Sequence, residues 1–134
     1  MQNILVDAGP LIALFRQREP RHKEVRHFLA TSKSRLHSTW PVVTEVCHFL
    51  NAAGKAAFLT WIKRGGLLVA SMSVVDLDAL IALLSKYGDR DMDFADASLV
   101  WLADKSGIDE ILTIDRRDFA VYRLSSGKPF RQVL

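Results

Sequence analysis

Five carboxylates carry the chemistry that this sequence can do. Two short apolar runs, Asn3-Ile4-Leu5-Val6 and Ile111-Leu112-Thr113-Ile114, read as buried strands, and each is followed by an aspartate, Asp7 and Asp115. Asp93 and Asp96 stand three apart in MDFADASLVWLADK and share a helix face. Asp96 also precedes Leu99, Val100 and Ala103 at the spacing of a buried stripe, which puts it at the margin of a core. Glu45 lies among Val42, Val43, Val46, Phe49 and Leu50 and is the sole acid between Glu24 and Asp76. Each has a plainer reading. Strand-end aspartates cap helices, Asp93 suits a helix N-terminus, and Glu45 can point outward. Gathered together, however, they would repel: two like charges about 4 Å apart cost ~4 kcal/mol at an effective dielectric near 20. Protonation or a cation must relieve that cost. Hard oxygen donors suit Mg²⁺ or Mn²⁺ rather than zinc, and a divalent ion among carboxylates is an apparatus for phosphodiester hydrolysis.

The elements that must position these acids follow from periodicity and punctuation. A strand over 3–6 leads through an Ala8-Gly9-Pro10 turn into a helix over 11–15. A helix over 20–33, a short strand near 35–38 and a helix from 42 to about 53, stopped by Gly54, come next. Residues 55–64 read as helix, 67–70 as strand, and a helix capped by Ser73 runs to Leu84. The helix of the Asp93/Asp96 segment ends at Gly107, the strand 111–114 follows, and a last strand lies near 130–134. Strands alternating with helices call for an α/β fold with a mostly parallel sheet covered by helices. In such sheets ligands bind beyond the carboxyl ends of the strands. If the first strand and 111–114 are parallel neighbours, Asp7 and Asp115 lie at one edge.

Length and composition set the bounds. The 134 residues fit one domain, 1–134, with 49% apolar and 25% charged residues. Cys47 is the only cysteine, so neither an internal disulfide nor a four-cysteine zinc site is possible. Histidines 22, 27, 37 and 48 have no ligand spacing. The N-terminal segment lacks a basic leader and no apolar run approaches a membrane span, so the expected location is cytoplasmic, with no membrane partner. The net charge of +3 is unevenly spread: residues 76–118 hold eleven acids against five Lys/Arg, and the rest of the chain is basic. A basic surface favours phosphate partners, though ordinary solvated faces explain such counts equally well. Arg16, Arg18, Arg21, Lys23 and Arg26 are candidates for a phosphate track. Trp40, Trp61 and Trp101 fit core or subunit contacts better than base stacking, and Met92 and Phe94 could line a dimer face.

The segments VDAGPLIALF, TEV, DFADASLVWLA and ILTIDRRDF, in this order and spacing, resemble the PIN-domain family, above all its VapC-type toxin ribonucleases of toxin–antitoxin pairs. The resemblance spans nearly the whole chain. It implies a three-layer α/β/α sandwich with an acidic pocket for Mg²⁺ or Mn²⁺. The implied activity is metal-dependent endoribonuclease cleavage of RNA by the toxin of a type II system, with a cognate antitoxin and a homodimer. Carried over by motif, the metal-holding and catalytic acids fall on Asp7, Glu45, Asp96 and Asp115, with Asp93 and Asp118 as secondary members. Thr113, Arg116 and Arg117 fall at the substrate side of the pocket; the two arginines would alternatively pair with Asp118, Asp109 or Glu110. Many relatives carry Asp-Thr-Ser or Asp-Ser-Ser at the first motif, where this chain has Asp7-Ala8-Gly9 and so lacks the hydroxyl. Two alternatives stand beside this reading: a PIN-like nuclease acting on DNA or structured nucleic acid, and a degenerate domain that only binds RNA or a partner.

Overall fold

The computed structural model describes residues 1–134. Five strands form one sheet, β1 (Asn3–Val6), β2 (Arg35–Thr39), β3 (Leu68–Ala70), β4 (Glu110–Leu112) and β5 (Arg131–Val133). Their order is β3-β2-β1-β4-β5 and every neighbouring pair is parallel. The seven helices are α1 (Ala8–Phe15), α2 (His22–Ser32), α3 (Trp40–His48), α4 (Ala52–Lys63), α5 (Leu77–Lys86), α6 (Phe94–Ser106) and α7 (Arg116–Val121). The chain thus builds outward from β1 through β2 to β3, then returns to add β4 on the other side of β1. Such a reversal leaves a crevice at the carboxyl ends of the strands on either side of it. Ile4, Leu5 and Val6 are all buried, as a central parallel strand covered on both faces requires. One core of 28 buried residues runs through sheet and helices, which is the α/β sandwich expected.

Local chemistry explains most of the elements, including those that depart from expectation. Asp7 caps α1, so Ala8, Gly9 and Pro10 form the helix's first turn instead of a separate turn. The helix expected to reach Gly54 stops at His48. Asn51 opens α4 and accepts from the Gly54 N–H, so Gly54 sits in a helix start and terminates nothing. Ser73 and Asp76 form a capping box around a short 3-10 turn, and α5 follows only at Leu77. Strand β4 ends at Leu112, two residues earlier than its apolar run suggests, because Asp115 caps the unanticipated helix α7. Helix α6 is buried almost all round, from Ala97 to Ala103, and ends at Gly107 with φ 76°. It is tied to β2 by a hydrogen bond between the buried Thr39 and Ser98 hydroxyls at 2.6 Å. No helix is long and apolar enough to cross a membrane.

Candidate functional site

The crevice between β1 and β4 gathers the acids. The pairing of Leu5 with Ile111 and Val6 with Leu112 continues one step further, with the Asp7 N–H donating to the Leu112 carbonyl at 3.0 Å. Asp7 therefore lies level with Thr113. The Thr113 hydroxyl donates to Asp7 Oδ2 at 3.0 Å, while the Ala8 N–H donates to Oδ1 at 2.8 Å. Asp115 follows two residues later as the cap of α7, accepting from the Arg117 N–H. Asp93 caps α6 by accepting from the Asp96 N–H at 2.7 Å, which leaves Asp96 one turn into the helix with its side chain over the crevice. The Tyr122 hydroxyl donates to Asp96 Oδ2 at 3.0 Å. Glu45 comes from the last turns of α3. Asp7, Glu45, Asp93, Asp96, Asp115 and Asp118 all line one cleft of about 410 Å³, with Gly9 and Phe49 at its wall.

Burial and mutual repulsion set the electrostatics. Burial, offset in part by the Ala8 and Thr113 donors, lifts the Asp7 carboxyl to about 6; Asp93 and Asp115 add to the rise. Burial first, then the charges of Asp7 and Asp93, push Asp96 to about 8, although the Tyr122 hydroxyl pulls the other way. Glu45 is raised by its burial and then by Asp93 and Asp7. Tyr122 is itself raised, by burial and by the Asp96 charge it faces. These carboxylates feel one another, and only Asp118 has a basic partner, Arg90 at 3.0 Å.

No three His, Cys, Asp or Glu side chains stand in a closed metal-ligand arrangement. The donor set nevertheless fits a hard divalent ion. It is all carboxylate, it is under-neutralised, and Asp96 Oδ1 has no hydrogen-bond partner. An ion that keeps several of its waters needs only one or two direct carboxylates, not a protein cage.

The cleft brings together all four acids expected from the motifs, together with Asp93 and Asp118. The flanking residues sit differently. Thr113 is 2% exposed, and its hydroxyl lies within hydrogen-bond distance of Asp7 Oδ2 and the Asp115 carbonyl, so it holds a carboxylate of the cleft. Arg116 turns away to the Leu134 carbonyl at 2.9 Å, and neither it nor Arg117 lines the cleft. The expected surface pairings go to other cations: Asp118 takes Arg90, and Asp109 and Glu110 take Lys128 and Arg131. Two residues outside the motifs, Tyr122 and Arg90, also bind cleft acids. Their links to Asp96 and Asp118 span 26 and 28 residues, and no local spacing signals them.

Comparisons with known proteins agree with this geometry. Residues 4–124 match the family described as PIN domain. The chain is 28% identical over 131 residues to Ribonuclease VapC26 of Mycobacterium tuberculosis, covering 95% of this chain and 97% of that one. Among solved structures it superposes on the Sarcin-Ricin loop cleaving toxin VapC20 of M. tuberculosis with a TM-score of 0.73 and 20% identity, covering 81% of this chain and 86% of that one. It also resembles a toxin–antitoxin complex from Klebsiella pneumoniae (TM-score 0.62, 20% identity, 88% and 91% covered). A third match is VapBC2 of Rickettsia felis bound to a DNA fragment from its promoter (TM-score 0.67, 9% identity, 99% and 100% covered). The match over 121 of 134 residues, on a sheet whose reversal collects the same acids that the motifs single out, places the chain in the PIN-domain family.

Proposed function

We propose that the acidic cleft is the active site of an endoribonuclease that requires Mg²⁺ or Mn²⁺, and that the protein is the toxin of a toxin–antitoxin pair. The observation that carries this is the convergence of Asp7, Glu45, Asp96 and Asp115 from four elements onto one cleft with no lysine or histidine among them. The ribonuclease relative and the toxin structures support the substrate class and the antitoxin partner. A second copy of the chain is the other expected partner.

Asp7 and Asp96 are the best-fixed donors, each held by one hydroxyl, Thr113 or Tyr122, that leaves lone pairs facing the cleft. Glu45, Asp93 and Asp115 complete the ring. A divalent ion held there supplies Lewis acidity toward a phosphate oxygen and offsets charge on the leaving oxygen. With no lysine or histidine lining the cleft, carboxylate oxygens are the acceptors available for the proton lost by an attacking water.

The test is metal-dependent digestion of RNA and DNA oligonucleotides side by side, with Asp7→Asn and Asp96→Asn variants. RNA cleavage lost in both variants supports the assignment. Undiminished cleavage in both rejects it, and preferential cutting of DNA transfers the site to the deoxy substrate. Antitoxin dependence is read from growth arrest on expression alone, relieved by co-expression of the partner.

A further inference from the structure

Two alanines in α5 leave open a groove that shares no residue with the acidic cleft. Helix α5 and the turn before it carry Val75, Ala79, Ala82, Leu83 and Lys86 at three- and four-residue spacing, so these share one face. Across from them stand Trp101 and Lys105 in the second half of α6. Ala79 and Ala82 are too short to close the gap and remain exposed. The space left is about 550 Å³, with the mostly buried Trp101 indole as one wall. Helix α6 thus serves two sites, giving Asp96 to the cleft and Trp101, Asp104 and Lys105 to the groove.

Five charged residues border the groove, and they are unequally engaged. Asp76 accepts from the Ser73 N–H at 2.9 Å and lies 3.6 Å from Lys105. Asp104 accepts from the Ser125 N–H at 2.7 Å. Lys86 and Arg123, by contrast, have no carboxylate within 4.0 Å. Arg123 spends Nη1 on the carbonyls of Ala120, Val121 and Tyr122, which leaves Nε and Nη2 for another acceptor. The two cations adjoin one ring. Lys86 Nζ lies 5.3 Å from the centroid of Tyr87, and the Arg123 N–H donates to the Tyr87 hydroxyl at 2.9 Å. A matching occupant has an anionic head for Lys86 and Arg123 and an apolar body for Ala79, Ala82, Leu83 and Trp101. Asp76 and Asp104 repel any further negative charge along the groove, so a polyanion is disfavoured. The volume falls in the range of small-molecule sites, about 300–1,000 Å³.

We infer that this groove binds a small amphipathic anion, with its single carboxylate or phosphate head between Lys86 and Arg123 and its apolar body along Ala79, Ala82 and Trp101. The site does not depend on the ribonuclease reading of the cleft. Guanidinium and ammonium donors favour such a head through charge-assisted hydrogen bonds, and burial of the body against Trp101 and Leu83 adds the apolar contribution. The guanidinium that takes the head is also the one that caps α7, the helix that carries Asp118 to the cleft.

The test uses the full chain in metal-free buffer, where binding is read without turnover. Octanoate and adenosine monophosphate carry the two kinds of head, octanol and adenosine lack the head, and inorganic phosphate lacks the body. At least one of the two amphipathic anions is expected to bind saturably, to shift the Trp101 indole N–H resonance, and to bind roughly five-fold or more tighter than its neutral counterpart and than inorganic phosphate. Octanoate alone identifies an aliphatic carboxylate as the ligand class, and adenosine monophosphate alone a nucleotide. Ala82→Leu fills the groove from an exposed position and should weaken binding roughly ten-fold. Lys86→Gln should weaken it roughly three- to five-fold, whereas Lys55→Gln, on α4, should leave it unchanged. Failure of both anions to bind, equal binding by the Ala82→Leu and Lys86→Gln variants and the parent, or shifts confined to residues of the acidic cleft overturns the site. Loss of a dimer in light scattering with Ala82→Leu, in a protein that binds neither anion, assigns the groove to a second copy and likewise overturns it. Binding in a protein that cleaves no RNA keeps the site and removes only the nuclease reading.

Discussion

Strand β4 has acids near both of its ends, and the two ends treat them in opposite ways. At the amino end, Asp109 and Glu110 meet Lys128 and Arg131, and the Lys128 contact at 2.9 Å holds Asp109 below the usual carboxylate range. At the carboxyl end, Asp115 joins Asp7, Glu45, Asp93 and Asp96, and no lysine or arginine lines the cleft. The amino end is an ordinary surface ion-pair cluster, stabilising but weakly so. The carboxyl end keeps its charges uncompensated at a cost to the fold, and it is there that the proposed divalent ion would sit. The arginines nearest in sequence, Arg116 and Arg117, do not relieve the cost, because α7 carries them outside the cleft.

The largest break in this contrast comes from neutralising one acid. Asp96→Asn should lower metal-dependent cleavage by roughly 10²–10³-fold or more while raising the melting temperature of the metal-free protein by several degrees, measured by calorimetry. An inactive variant that is also less stable would mean that Asp96 is a structural acid.

The next effect is on pH. Asp7 near 6 and Asp96 near 8 lie above their unfolded values, so the folded protein holds more protons than the unfolded chain between about pH 4 and pH 8. Their contribution is fully present below pH ~4 and is lost as pH rises through 6 and then 8. The stability difference between wild type and the Asp7→Asn, Asp96→Asn double variant should therefore widen with pH in metal-free buffer, in the variant's favour. Mn²⁺ should narrow it, with affinity that rises over the same window because the ion displaces protons. A difference flat in pH would contradict the unpaired reading.

Smaller again is Tyr122→Phe. Without its hydroxyl, Asp96 is protonated more readily, so the pH–rate profile should move to higher pH and kcat near neutrality should fall roughly ten-fold. At the amino end of β4, Lys128→Ala should change stability by only ~0–1 kcal/mol and leave cleavage at the wild-type rate, since nothing there touches the cleft.

The acids could be found from the sequence because each sits where a local rule puts it. Asp7 and Asp115 follow apolar runs, and Asp96 heads the Leu99–Val100–Ala103 stripe, all three of which are fully buried. Helix α7 escaped notice because its six residues are too few to show a period. Glycine is a strong stop signal, so the sequence points to Gly54 as the break between α3 and α4, yet the informative residue is Asn51, whose side chain starts the next helix. What spacing cannot show is the partner of each acid. Thr113 reaches Asp7 across 106 residues, and its hydroxyl there supports a carboxylate.

That long reach has a consequence for synthesis. Asp7 leaves the ribosome early, but the strand that stands beside it and the hydroxyl that fixes its carboxylate come more than a hundred residues later. Parallel pairing so distant along the chain cannot form until both partners are out. A nascent chain therefore lacks the assembled cleft for most of its translation. The cleft is complete only when β4 pairs with β1 and α7 brings in Asp115 and Asp118.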